Sequence, residues 1–129
     1  MDLKTPYKTL KQIIELAKHR NQLEEQYFPG IADFESSFAF MASPEGKKVE
    51  DAGNRLDELL DSLLYDELLE VESLMLYGRG DFTSYEECLS YMKWRYPDES
   101  GKSMAVEYIA SKGPLDEYLE SALKRLCII

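Results

Sequence analysis

Gly78-Arg79-Gly80-Asp81 sets a guanidinium between two glycines and beside a carboxylate. A guanidinium so placed can take a phosphate or carboxylate through two parallel hydrogen bonds, and flanking glycines let such a ligand approach the backbone closely. The same four residues also have an architectural use. Gly78 is expected to end the helix that reaches Tyr77 and Gly80 to redirect the chain, with Arg79 paired to a neighbouring carboxylate or to helix carbonyls and Asp81 closing an Asx turn. Tyr77, Tyr85, Tyr91, Trp94 and Tyr96 flank this junction and suggest an aromatic collar. Aromatics beside an arginine favour a binding surface, and interleaved core packing explains them equally well. The ligand or partner-binding candidates are therefore Arg79, Asp81, Tyr77, Tyr85 and Trp94.

Other chemistries fail on residue type or spacing. A di-iron bundle needs Glu-x-x-His pairs projecting inward, whereas the single histidine, His19, has its nearest acid, Glu15, four positions away. Glu67, Glu70 and Glu72 cluster without imidazole support, and a hard cation asks for several converging oxygens. Cys88 lies in an apolar helical stripe and Cys127 in an apolar tail, so both are expected to be packed thiols rather than activated nucleophiles. They are too far apart for a Cys-x-x-Cys redox motif or a metal knuckle. Gly101-Lys102-Ser103 lacks the preceding glycine of a phosphate-binding loop and reads as a helix start. Arg-Gly-Asp as an integrin ligand is out of keeping with a chain whose thiols look reduced. The expectation is no catalytic residues, no metal and no cofactor.

Helices must position these residues. Thr5-Pro6 is a helix-start signal, and Tyr7, Leu10, Ile13, Ile14 and Ala17 then recur at helical spacing until the pattern frays after Leu23 and Pro29-Gly30 stops it. From residue 31 to 48, Phe34, Phe38 and Met41 suggest a short helix followed by a loop, with Phe34, Phe38 and Phe40 covering the core edge or forming a partner surface. Val49, Ala52, Leu56, Leu59, Leu60 and Leu63, then Leu64, Leu68, Val71, Leu74 and Met75, make the spine, read as two helices meeting near Tyr65. Thr83 and Glu86 have capping-box spacing for a helix over residues 84–96, ended by Pro97. Two more helices, over 102–111 and 114–126, are divided by Gly113-Pro114. Gly78, Gly80, Gly113 and Pro114 are thus the structural junctions. The fold class is all-α, a single-domain bundle of five to six helices. Residues 1–48 supply a first helix and a less regular segment, and residues 49–129 supply the helical core.

Length and charge bound the function. The 129 residues, 44% of them hydrophobic, suffice for one domain with a real core. A net charge of −10 disfavours nucleic acid and anionic membrane as partners. Residues 49–77 hold nine acids against Arg55 alone, while residues 1–30 hold five bases against four acids. That segment is either a solvated helix face or a docking surface for a basic protein. No apolar run approaches the roughly 20 residues of a membrane span, and the N-terminal residues have no apolar signal core, so a soluble cytoplasmic protein is expected.

The run from Glu70 through Asp81, with Tyr108-Ile109, Gly113-Pro114-Leu115 and Tyr118-Leu119 downstream, resembles the bacterial domain of unknown function 3775 family. That likeness covers the C-terminal half, implies no activity, and implies that the glycine junction belongs to the design of the domain. The functional expectation is a non-enzymatic interaction or regulatory protein, acting on a protein partner or as a homodimer through its aromatic and apolar surfaces. The alternatives are an acidic inhibitor or immunity protein that binds a basic partner through residues 49–77, and a binder of small anionic ligands that uses Arg79.

Overall fold

A computed structural model of the chain describes residues 3–27 and 34–129. Seven α-helices, and no strand, are found among the described residues. They are α1 (Tyr7–Tyr27), α2 (Phe34–Ala42), α3 (Pro44–Asp61), α4 (Tyr65–Arg79), α5 (Tyr85–Arg95), α6 (Lys102–Ala110) and α7 (Leu115–Arg125), with a 3-10 turn at Glu99–Gly101 before α6. The chain is all-α, with more helices than the five to six expected. The Pro29-Gly30 stop and the start of the segment expected from Ile31 lie outside the described residues. No described helix is long and apolar enough to cross a membrane.

Helix α4 is the axle of the bundle. It packs against α7, α5 and α6, while α1 packs on α3 and α7 and α3 reaches α2 and α6. Every residue from 68 to 77 is buried. A helix enclosed on all sides needs no polar face, and this one accordingly shows little amphipathic asymmetry. In contrast, α3 buries only Gly46, Ala52, Leu56 and Leu60, and α7 only Leu115, Leu119, Ala122 and Leu123. The acidity of residues 49–77 is therefore not one face. Glu70 and Glu72 are inside, Asp66 pairs with Lys4 at 2.9 Å, and the exposed acids of this segment lie mainly along α3.

Local chemistry explains the helix ends. At the start of α3 the Ser43 hydroxyl accepts from the Gly46 amide at 3.0 Å and Pro44 occupies the first turn, so residues 44–48 are helical rather than the loop expected there. Helix α5 is capped by Ser84, whose hydroxyl accepts from Glu87 N at 3.2 Å, while Thr83 Oγ1 donates to the Glu87 carboxylate. The cap thus falls one residue later than the Thr83–Glu86 spacing implied. Thr5 was expected to cap α1 with its hydroxyl. Instead that hydroxyl donates to Glu70 at 2.7 Å, and the same carboxylate accepts the backbone amides of Lys4 and Thr5 at 2.8 and 2.7 Å. A buried carboxylate taking three donors holds the entry to α1 against the axle helix.

Candidate functional site

Helix α4 ends in a Schellman arrangement: Asp81 N donates to Leu76 O and Gly80 N to Tyr77 O, each at 3.1 Å. Gly80 is the left-handed residue this requires, at φ +93°. Gly78 does not end the helix. It lies inside α4, where a Cβ would overlap the Tyr118 carbonyl, so its role is to let the backbones of α4 and α7 touch.

Arg79 turns back onto its own corner. Its Nε and Nη2 donate to Asp81 Oδ2 at 3.0 and 2.6 Å, Nη2 lies 3.4 Å from the Tyr108 hydroxyl, and the guanidinium sits 5.9 Å from the Tyr118 ring centre. The Asp81 hydrogen bond, above all, holds it firmly protonated. Both contacts to Asp81 fall on Oδ2 and use Nε and Nη2, so that edge of the guanidinium is taken up in fastening the corner.

The aromatic collar divides into an inner and an outer group. Tyr77, Tyr85 and Tyr96 are buried. Tyr77 meets Tyr85 edge-on at 6.3 Å, and Arg125 covers the Tyr77 ring at 3.9 Å while donating to the Tyr77 carbonyl at 2.6 Å. Burial pushes the Tyr85 hydroxyl above its ordinary range. Trp94, by contrast, is 76% exposed, with its ring 5.9 Å from that of Tyr91, which in turn lies 5.6 Å from Phe82. The five candidates therefore do not converge: Arg79 and Asp81 pair at a corner, Tyr77 and Tyr85 fill the core, and Trp94 is the most exposed of them.

Burial pushes the Cys88 thiol up to about 11, which leaves very little thiolate at neutral pH. Cys127 is exposed rather than packed, at φ +59° just past the end of α7. Phe38, expected to cover the core edge, is also exposed. No cluster of three or more His, Cys, Asp or Glu side chains arranged to hold a metal ion occurs among the described residues.

Three important polar residues escaped sequence reasoning. Arg20 is buried and donates to the carbonyls of Ala110 and Lys112 at 2.6 and 2.9 Å, closing the C-terminal end of α6. Beside it, Asn21 donates to Gly113 O at 2.7 Å. The pair staples the Gly113-Pro114 turn to α1, and that turn forms one wall of a cleft of about 1140 Å³ between α1, α2, α3 and the start of α7. The third is Glu72. It is fully buried, accepts from the Tyr96 hydroxyl at 3.2 Å, and leaves Oε2 without a hydrogen-bond partner. Burial drives its carboxyl up to about 7, against the opposing pull of Arg95, the Tyr96 hydrogen bond and Lys112. An acid two residues from Glu70 on a helix looked like a surface residue, and only the enclosure of α4 removes it from water. The chain matches no protein-family model, no curated protein and no solved structure.

Proposed function

We propose that this protein is a non-enzymatic interaction module that engages a partner protein through the outer face of α5. The observation that carries this reading is the row Phe82, Tyr91 and Trp94, in which the only tryptophan of the chain stands 76% exposed at the end of an aromatic stack. Helix α5 packs chiefly on α4, which leaves Tyr91 and Trp94 exposed, while Phe82, partly buried just before α5, ties the row to the core. Large rigid aromatics gain much from burial and lose little conformational freedom on binding, which is why tryptophan and tyrosine dominate interface energetics. A further observation supports a binding role over catalysis: the Cys88 thiol is held protonated by burial. The resemblance around residues 78–81 to a bacterial family, and a cytoplasmic setting, belong to the same proposal.

Because the chain has one tryptophan, intrinsic fluorescence reads this surface directly. Association is expected to shift the Trp94 emission to shorter wavelength. Trp94→Ala should leave folding stability within about 0.5 kcal/mol. It should weaken capture of the native-host partner by about 2 kcal/mol or more, roughly thirtyfold. Sedimentation across a wide concentration range distinguishes a second copy of this chain from a different protein. Capture that is indifferent to Trp94→Ala, with no emission shift, removes the α5 face from consideration.

A further inference from the structure

We infer that the cleft walled by α1, α2, α3 and the Gly113-Pro114 turn is a second docking site, independent of α5, that takes a basic amphipathic helical segment of a partner protein. With about 1140 Å³ of open space bordered by α1, α2, α3 and the start of α7, it has room for a stretch of chain. Its apolar surface comes from Phe40, Met41, Val49 and Pro114. Met41 is 63% exposed, and methionine, unbranched and polarisable, moulds to many apolar shapes.

Carboxylates outnumber cations in the lining of the cleft by five to one. Glu24 and Glu25 approach it from α1, Glu50 from α3, and Asp116 and Glu117 from α7. The single lysine lining it, Lys18, is committed to Glu120 at 2.5 Å. Five carboxylates from three helices around a low-dielectric floor focus a negative potential there, and the net charge of −10 reinforces it at longer range. A segment with apolar side chains at i, i+3 and i+4 for the floor and Lys or Arg on its flanks is complementary in both respects. Addition of an extended strand is not an available mode, since the described residues form no sheet to extend. The sequence pointed to residues 49–77 for a basic partner, but from that segment only Val49 and Glu50 line this cleft.

The test uses the full chain, isotope-labelled, titrated with a synthetic peptide of leucine and lysine patterned at helical spacing and with its counterpart in which glutamate replaces lysine. The lysine peptide is expected to bind saturably, to move the resonances of Met41, Val49, Gly113 and Asp116, and to weaken as salt is raised; the glutamate peptide should not bind. The doubly reversed variant Glu24→Lys/Glu117→Lys should lose about tenfold or more in affinity, while Glu58→Lys/Glu99→Lys, with the same change in net charge but away from the cleft, should lose about twofold or less. Met41→Lys, at an exposed position, should weaken binding without altering the melting temperature. Equal losses in the two double variants, perturbations centred on α5, equal binding of both peptides, absence of binding, or concentration-dependent cleft shifts without peptide would each overturn the inference. Trp94→Ala should leave peptide binding unchanged, so this site and the α5 face stand or fall separately.

Discussion

At the residue scale, the sharpest consequence comes from Glu72. Its carboxyl is raised from 4.5 to about 7 by burial, so between those values the folded chain keeps a proton that the unfolded chain has released. Stability from this group is therefore fully present below about pH 4.5, falls as pH rises through the window, and is flat above about pH 7. The span corresponds to a loss on the order of 3 kcal/mol. Glu72→Gln keeps the shape without the charge, and the gap between variant and parent in urea unfolding should widen in the variant's favour from pH 4.5 to pH 8. A constant gap across that range would show that Glu72 titrates normally. Glu70, only two residues away, is also buried, with three donors around its carboxylate where Glu72 has Tyr96 alone.

At the element scale, the two glycines of the α4 terminus perform different work, and their substitutions should separate. Gly80 occupies left-handed backbone with open space around its missing Cβ. Gly80→Ala should therefore cost about 1–2 kcal/mol of backbone strain. Gly78 sits where α4 meets the backbone of α7 near Tyr118 and Ala122. A methyl group there must push two helices apart, so Gly78→Ala is expected to cost about 3 kcal/mol or more, at the upper end of overpacking effects. Urea midpoints for the two variants give the order, and a milder effect at Gly78 would mean that α7 is free to retreat. The same contact shapes the setting of Arg79: with α7 pressed against α4, the Tyr118 ring and the Tyr108 hydroxyl lie beside the guanidinium while Asp81 accepts from its Nε and Nη2.

At the scale of the whole molecule, charge opposes compactness. The described ion pairs Lys4–Asp66 and Arg55–Asp51 are well exposed, and exposed pairs contribute little. A net charge of −10 on 129 residues leaves repulsion that these pairs do not offset. Moderate sodium chloride, which shortens the Debye length to about 10 Å at 0.1 M, should raise the melting temperature rather than lower it. A melting temperature that falls with salt would mean that internal attractive pairs outweigh the repulsion. Salt should act oppositely on the cleft, weakening a basic segment while stabilising the fold that receives it.

The helical spacing of Leu10, Ile13, Ile14 and Ala17, the apolar spine from Val49 onward, and the punctuation at Pro97 and Gly113-Pro114 made the all-α bundle and most of its helices legible in the sequence. Short-range chemistry alone decides such features: periodicity, caps and breakers act within a few residues. The same locality misplaced the α5 cap by one residue and assigned helix-ending to Gly78, because the reason for that glycine, the Tyr118 carbonyl, lies forty positions away. Burial was the least legible property. Glu70, Glu72 and Arg20 are of types that usually stay in water, and packing on all sides of α4, and of α1 against the end of α6, takes them out of it. Composition by itself determined that the molecule is acidic and that aromatics gather after the glycine junction. Which tyrosines fill the core, that Trp94 stands outside it, and that carboxylates from α1, α3 and α7 meet around one apolar cleft were decided by the tertiary structure, since juxtaposition across helices depends on how their faces are turned and no local pattern encodes it.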